Sequence, residues 1–343
     1  MRFPRVSIII LNWNSWRDTI ECLESLYRIT YPNYDVIVVD NGSKDDSVQK
    51  IKEYCEGKIE VNSKFFKYDP NNKPIKVFEI SEDEARIGRF NRPLYEKFDS
   101  DRRLILIKNK DNYGFAGGHN IGIKFALRCL NSNYILLLNN DTVVDPNFLT
   151  EMMNIVLDYK DIGICGPKIY YYDEPRRIWR AGGDFNFWIG MVKGKGADEI
   201  DHGQYNRISE EKFVDGCCML VSREVLTKVG LLDETFFFGF EDVDICIRAT
   251  KSGFKVLYVF KSKIWHKVSV SAKKSPFVYI KSIESRLKLL KKHCSKLQFI
   301  SGSAFYLFQL LINSFLLILK LDKNKLKFYC KAFKDYIKNV IKY

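Results

Sequence analysis

Short apolar runs that alternate with helix-like segments are the feature that most restricts how this chain can fold. The runs are rich in Val, Ile and Leu, which is typical of strands buried on both faces of a sheet. Between them, apolar residues recur at the spacing of one helical face, for example at Ile20, Leu23 and Leu26, and again over residues 119–130. This alternation predicts an α/β fold with a mainly parallel central sheet flanked by helices. The predicted strands are Val6–Leu11, Val36–Val39, Leu104–Ile107 and Tyr134–Leu138.

Polar clusters follow two of these predicted strands directly. Asp40-Asn41-Gly42-Ser43 comes after the second strand, and Asn139-Asn140-Asp141 comes after the fourth. Ligands of parallel sheets bind beyond the carboxyl ends of the strands. We therefore expect a binding site at that edge, although an Asp-Asn-Gly-Ser sequence is also an ordinary turn.

A glycine-rich segment, residues 112–120, precedes the helix predicted over residues 119–130. Its glycines would let the backbone approach a ligand closely, and the helix start would offer free N–H groups to a diphosphate. A flexible turn with a helix cap is the alternative. We place His119 in the loop, where a capping or surface role is as consistent with the sequence as a catalytic one.

Two acidic segments are candidates for the chemistry. Asp141, at a strand end, has the ligand type that Mg²⁺ or Mn²⁺ takes beside phosphates, although a single such Asp can also be a cap. Glu241 and Asp242 follow the aromatic run at residues 236–240, where burial would raise a carboxyl pKa and make it a better base. An acid-rich helix N-terminus would explain Asp242 and Asp244 equally well.

The order of these motifs resembles the family 2 glycosyltransferases, and within them the rhamnosyltransferase-like branch, which acts on lipid-linked or cell-surface glycans. The resemblance covers roughly residues 4–60 and 104–296. It implies the GT-A fold, a nucleotide-diphosphate sugar donor, a divalent cation and inversion at the anomeric carbon. The motifs that carry it are Val6–Asn14, Val39–Ser43, Asn112–Asn120, Asn139–Thr142 and Phe240–Asp244.

The same resemblance assigns roles to residues. Asp242 is the implied general base, with Glu241 as the second choice. The metal ligands are Asp141 and His266; because Asn139 replaces the first acid of the family's D-x-D-type motif, weaker metal binding is expected. Trp188 and residues 236–240 would form an apolar wall over the sugar or acceptor. The residues implied to bind the donor nucleotide are Asn12, Asp40, Asn112, Gly117, Gly118, Asn120 and Asn140.

Charge divides the chain into two parts. Residues 261–343 hold 19 Lys/Arg against 3 Asp/Glu, whereas residues 1–260 hold 36 against 39. We predict a catalytic domain over residues 1–270, with a charged, solvated insertion at residues 57–103 that contains one strand near Val77–Ile80. Residues 271–343 would form a basic helical tail that binds an anionic partner. The nine scattered cysteines are typical of a reducing cytosol.

The predicted tail has a charge-free run and a basic amphipathic end. Leu297–Leu319 is long enough to span a bilayer, but lysines on both sides conflict with the positive-inside tendency, which favours a re-entrant hairpin or an in-plane helix. Residues 326–340 repeat apolar side chains at helical spacing among lysines, as in helices that bind anionic membranes. We therefore expect the protein at the cytoplasmic face of the cell membrane. An ordinary core-packed helix is the alternative.

Three other classes of function compete with a sugar transferase. A nucleic-acid-binding protein would explain the net charge of +13, but no recognisable binding module is visible. A sugar-phosphate nucleotidylyltransferase would need a glycine-rich loop after the first strand, and residues 11–20 contain no glycine. A donor-binding protein without catalysis would not need Asp141, Glu241, Asp242 and His266. The sugar, the acceptor and the oligomeric state stay open.

Overall fold

The computed structural model describes residues 3–159, 161–237, 239–268 and 276–319. Its strands are β1 (Val6–Asn12), β2 (Tyr34–Asp40), β3 (Lys76–Ser81), β4 (Arg103–Lys108), β5 (Tyr134–Asn139), β6 (Thr142–Val144), β7 (Ile162–Tyr171), β8 (Ile178–Arg180), β9 (Gly183–Asn186), β10 (Met191–Gly194), β11 (Ser209–Glu210), β12 (Cys218–Ser222) and β13 (Lys255–His266). Its helices are α1 (Trp16–Leu26), α2 (Ser47–Cys55), α3 (Glu82–Ile87), α4 (Arg92–Tyr95), α5 (Gly114–Phe125), α6 (Phe148–Asp158), α7 (Arg223–Val229), α8 (Glu241–Lys251), α9 (Pro276–His293) and α10 (Lys296–Leu319).

The N-terminal half of the central sheet is parallel throughout, in the order β5-β1-β2-β4-β3. Val6 pairs with Tyr34 on one side and with Tyr134 on the other. All four strands predicted from the apolar runs are confirmed, because runs buried on both faces have few alternative structures. The register sets Asn12 opposite Asp40, so these side chains meet at one edge.

The C-terminal half of the sheet is mixed rather than mainly parallel. β12 runs antiparallel between β5 and β7, and β13 runs parallel to β7. β12 runs opposite to β5, and β7 runs opposite to β12, so β7 and its parallel neighbour β13 point the same way as β5. β5 and β13 therefore end at the same edge of the sheet, and β12 begins there. β6 then pairs antiparallel with the end of β13 and sets Thr142 opposite His266. This arrangement brings distant parts of the sequence to one edge.

The core lies on both faces of the sheet, as the strand pattern requires. Ile8 and Val38 pack on one face with Leu23 of α1 and Phe148 of α6. Ile9 and its neighbours of the same orientation pack on the other face against α5 and α8. Each fully buried side chain of this size contributes about 1.5–3 kcal/mol to folding. This two-sided core holds the strand ends at fixed positions.

Residues 57–103 contribute more to the sheet and to the core than their charged composition predicts. The predicted strand is present as β3, which pairs parallel with β4 and forms the edge of the sheet. Tyr95 is fully buried, and its hydroxyl donates to Asp35 at 3.0 Å. The predicted strand is thus confirmed, whereas the expectation of a solvated segment is wrong for Tyr95, since scattered apolar residues can reach the core without a clear periodicity.

The helix after the glycine-rich segment begins at Gly114 rather than at residue 119. Gly117, Gly118 and His119 consequently lie inside α5, and the placement of His119 in a loop is wrong. Its ring is fully buried, and burial lowers its pKa to about 4. Three glycines suggested a loop, but here small residues let the helix pack closely on the sheet.

The two C-terminal helices form an antiparallel hairpin against the domain. Leu289 and Leu290 of α9 are buried in the main core, and Ile283 and Leu287 pack against α10. Among the helices of the described ranges, none combines the length and the apolar character needed to cross a bilayer. The basic amphipathic segment predicted within residues 320–343 lies outside the described residues.

Candidate active site

The ends of β1 and β2 form one side of the site. Asn12 Nδ2 donates to Asp40 Oδ1 at 2.7 Å, and both side chains are buried. Ser43 adds two hydrogen bonds to the same carboxylate, from its hydroxyl at 2.5 Å and from its backbone N–H at 3.1 Å. The structure thus brings Asn12 and Asp40 together, with Asp40 held in one orientation by several donors.

Asn140 joins this network from the end of β5. Its Nδ2 donates to Thr19 Oγ1 at 3.0 Å, and Thr19 donates in turn to Asn12 Oδ1 at 2.8 Å. Three strand ends are therefore linked by side-chain hydrogen bonds. Asn12, Thr19, Asp40 and Asn140 therefore form one connected polar surface, the polar floor of the site, rather than three independent turns.

Asn112 organises the start of α5. Its Oδ1 accepts from the Gly114 N–H and from Asn41 Nδ2, both at 2.9 Å. Asn41 also donates to the Gly114 carbonyl oxygen at 3.1 Å. The cluster after β2 is thereby fixed against the N-terminus of α5, whose first N–H groups have no intrahelical partners.

Inside α5, Gly118 and Asn120 serve to hold the helix in place. A Cβ on Gly118 would lie 2.5 Å from Leu11 Cδ1 and 3.1 Å from the Asn41 amide, so a larger residue there would have to displace the Leu11 side chain. Asn120 Nδ2 donates to the Leu232 carbonyl oxygen and to Glu234, each at 2.9 Å. Gly117 lies one turn into the helix beside Tyr113. Gly118 and Asn120 thus position the helix whose start faces the site.

Asp141 and His266 meet at the junction of β6 and β13. His266 Nε2 lies 3.0 Å from Asp141 Oδ1, and both side chains are largely buried. The other ring nitrogen of His266 has no hydrogen-bond partner among the described residues, and the Trp179 ring packs edge-on against the imidazole at 4.8 Å between centroids. Over the described part of the chain, no group of three or more His, Cys, Asp or Glu side chains is arranged to hold a metal. The site therefore supplies two side-chain donors, one oxygen and one nitrogen.

Glu241 and Asp242 open helix α8. Asp242 accepts hydrogen bonds from the Gly216 N–H at 2.9 Å and from the Val243 N–H at 2.8 Å. Burial raises the pKa of Asp242, and burial together with the Asp242 charge raises the pKa of Glu241 to about 8. Glu241 is buried while Asp242 is partly exposed. Asp242 is thus the acid of this pair that a substrate can reach.

Asp215 is a site residue that sequence reasoning missed. It stands just before β12, and burial raises its pKa to about 7, while Arg180 lowers it and Asp242 raises it further. Arg180 Nε lies 3.8 Å from Asp215 Oδ1. Asp215 comes before a strand rather than after one. It reaches the edge formed by the carboxyl end of β5 only because β12 is antiparallel to β5, and the sequence does not reveal that direction. The one sequence signal for this residue was the Asp215-Gly216 pair, which is typical of a turn before a strand.

Asp141, Asp215 and Asp242 lie on segments that meet at the start of β12, where the Gly216 N–H beside Asp215 donates to Asp242. All three contribute to raising the pKa of the Cys217 thiol, which burial raises most. The Cys217 carbonyl oxygen accepts from the Asn139 N–H at 2.8 Å, which ties the start of β12 to the end of β5. The acids predicted on separate motifs thus converge, and Asp215 completes the group.

The predicted aromatic wall is divided between the core and the surface. Phe236 is buried in the core, whereas Phe237 is exposed beside Gly114 at the start of α5. Trp188 is exposed in the β9–β10 hairpin. Phe238 lies outside the described residues, so the predicted wall is tested only in part.

A large mixed sheet with helices on both faces, and with acids gathered at one edge, is the architecture that this chain shares with GT-A glycosyltransferases. The chain belongs to glycosyl transferase family 2. Residues 7–77 match the family described as "Glycosyl transferase family 2", and residues 81–283 match "Glycosyltransferase like family 2".

Curated relatives are named as glycosyltransferases, and a solved glycosyltransferase structure has the same fold. The chain is 25% identical over 157 residues to the low-salt glycan biosynthesis hexosyltransferase Agl10 of Haloferax volcanii, covering 45% of the chain and 48% of the relative. It is 25% identical over 210 residues to the dTDP-rhamnosyl transferase RfbF of Shigella flexneri, covering 59% and 67%. It thus spans about half the length of the first of these curated relatives. The mannosyltransferase PcManGT of Pyrobaculum calidifontis, solved with GDP-Man and Mn²⁺, shares the fold with a TM-score of 0.53 at 15% identity, over 97% of this chain and 74% of that one.

Proposed function

We propose that this protein is an inverting glycosyltransferase that moves a sugar from a nucleotide-diphosphate donor to an acceptor hydroxyl. The observation that supports this most is the convergence at one sheet edge of the Asp141–His266 pair with Asp242. A pair of cation-binding donors beside a reachable carboxylate suits a metal-assisted single displacement at an anomeric carbon.

The residues present fit a divalent cation. Asp141 offers a carboxylate oxygen and His266 an imidazole nitrogen at 3.0 Å from it, a donor set that suits Mn²⁺ and accommodates Mg²⁺. The remaining ligands would be donor phosphate oxygens and water. A bound cation would supply charge neutralisation for the leaving diphosphate. With Asn139 in place of an acid, this arrangement would hold the cation through two protein ligands, and we expect weak binding.

Asp242 is proposed as the general base. It accepts the proton of the acceptor hydroxyl while that oxygen bonds to the anomeric carbon, and the carbon–oxygen bond to the diphosphate breaks with its electron pair leaving on phosphate oxygen. The two N–H groups of Gly216 and Val243 hold the carboxylate in position. Its raised pKa makes it a stronger base than an ordinary Asp. Attack opposite to the leaving group inverts the anomeric carbon.

The donor would lie along the ends of β1, β2 and β5. Asp40, with Asn12 behind it, is placed to bind the nucleoside, and Asn140 extends the same polar floor. The start of α5, ordered by Asn112, offers N–H groups for the diphosphate. Gly117, Gly118 and Asn120 contribute indirectly, because they fix the position of that helix.

The proposed acceptor is a lipid-linked or cell-surface glycan at the cytoplasmic face of the membrane. The support is the concentration of positive charge in residues 261–343, which favours an anionic surface, together with relatives named for glycan and rhamnosyl transfer.

A panel of nucleotide sugars tests the class and the donor together. We expect one UDP-, GDP- or dTDP-sugar to bind and to be hydrolysed slowly in Mg²⁺ or Mn²⁺, with loss of turnover in EDTA. Failure to bind any nucleotide, with or without metal, would contradict the proposal.

A further inference from the structure

Helix α10 presents a continuous apolar face to solvent. Leu297 is 70% exposed, Ile300 64% and Phe308 59%, and Leu311 and Ile312 are also exposed. Ser301 and Ala304 are the other exposed positions over residues 297–312, so the face carries no charge. At 3.6 residues per turn, all of these positions fall on one side of the helix. Such a contiguous apolar face marks an interaction surface.

The opposite side of α10 is fixed against the protein. Tyr306 and Leu310 pack on Ile283 and Leu287 of α9. A Cβ on Gly302 would lie 3.3 Å from the Gly190 backbone nitrogen, so the helix rests closely on the β9–β10 hairpin. The outward direction of the apolar face is therefore set by the packing of the inward face.

The charges around this face are positive. Lys296 is exposed at its N-terminal end. The chain continues beyond α10 into residues 320–343, which hold eight Lys and two Asp. A second copy of the chain would bring the same positive charge to the interface, whereas an anionic bilayer would neutralise it. Complementarity of charge thus favours a lipid surface as the occupant.

We propose that the outward face of α10, defined by Leu297, Ile300, Phe308, Leu311 and Ile312, inserts into the interfacial region of an anionic lipid bilayer. Because the other face is packed on the domain, the helix lies along the membrane surface. This inference deepens the proposed function: it names the surface that would bring the active site to a lipid-linked acceptor. Because binding to vesicles does not depend on sugar transfer, it can be measured separately from the proposed activity.

The test compares full-length variants on vesicles of phosphatidylcholine with and without phosphatidylglycerol. The variant F308E/L311E changes the proposed face, and the control I87E/L94E changes two exposed apolar residues of the 57–103 segment. We expect F308E/L311E to weaken partitioning into anionic vesicles by more than about tenfold at an unchanged Tm, with the control like wild type. Wild type should bind neutral vesicles weakly.

Three results would overturn the proposal. Unchanged vesicle binding by F308E/L311E would show that the face does not touch lipid. A lower Tm with unchanged vesicle binding would show that residues 320–343 of the same chain cover it. Conversion of a dimer to a monomer with unchanged vesicle binding would identify a second copy as the occupant. Nucleotide-sugar binding, measured on the same samples without vesicles, separates a failure of this inference from a failure of the proposed function.

Discussion

His266 Nε2 lies 3.0 Å from Asp141 Oδ1, although the two residues come from distant parts of the chain. The antiparallel pairing of β6 with the end of β13 produces this contact, because it sets His266 opposite Thr142, the residue after Asp141. The Lys267 N–H donates to the Asp141 carbonyl oxygen at 2.9 Å and extends the pairing by one residue. The proposed cation site is thus a consequence of sheet register.

Replacing His266 by Ala should weaken the response to metal. We expect the Mn²⁺ concentration for half-maximal sugar transfer to rise by at least about tenfold, because the change removes one of the two proposed protein ligands. A Mn²⁺ titration of the initial rate measures this. The exposed His202→Ala variant is the control. An identical Mn²⁺ requirement in His266→Ala would show that His266 has a structural role.

The strands could be predicted from sequence because burial on both faces leaves a clear signal. Val6–Leu11 was expected where β1 spans Val6–Asn12, and Tyr134–Leu138 where β5 spans Tyr134–Asn139. The parallel order then brings the polar clusters that follow these strands to one edge.

What the sequence could not show depends on contacts between distant residues. The start of α5 was missed because its glycines look like a loop, whereas Gly118 lets the helix lie close to Leu11. Asp215 was missed because its place depends on the antiparallel direction of β12. Arg180 was missed for a similar reason, since its relation to Asp215 exists only in three dimensions.

Replacing Arg180 by Gln should shift the acid limb of the kcat/KM–pH profile to higher pH. The Arg180 charge lowers the pKa of Asp242, so its removal raises that pKa. A general base must be deprotonated, and kcat/KM will then fall at a higher pH than in wild type. The profile of kcat/KM against pH measures the shift, with the exposed Arg176→Gln variant as control. An acid limb at the same pH as in wild type, or at a lower pH, would contradict the role of Asp242 as the general base.

Replacing Asp215 by Asn should stabilise the metal-free protein at neutral and alkaline pH. Burial raises the pKa of Asp215 from 3.8 to about 7, so its ionised form destabilises the fold increasingly as pH rises through that interval. The gain should reach the order of a few kcal/mol above pH 7 and vanish near pH 3.8. Urea unfolding in EDTA at several pH values measures it. A loss of stability at pH 8 would show that the carboxylate is held by favourable contacts.

Replacing Gly118 by Ala should destabilise the domain by up to about 2 kcal/mol, because displacing Leu11 and crowding Asn41 cost about 1–3 kcal/mol while the higher helix propensity of Ala returns about 1 kcal/mol. Thermal or urea unfolding measures the change. Lys124→Ala, at an exposed position of the same helix, should leave stability almost unchanged. Equal stability of both variants would show that α5 can move away from β1 without cost.

Asp242→Asn tests the central claim most directly, with the sugar-transfer rate and the donor affinity measured on the same preparation. We predict a fall in kcat of about 10²–10⁴-fold with unchanged donor affinity, because Asn keeps the shape of the side chain but cannot accept the proton. The exposed Asp161→Asn variant should behave as wild type. Unchanged transfer, or a loss of donor binding as large as the loss of rate, would contradict the assignment of Asp242 as the general base.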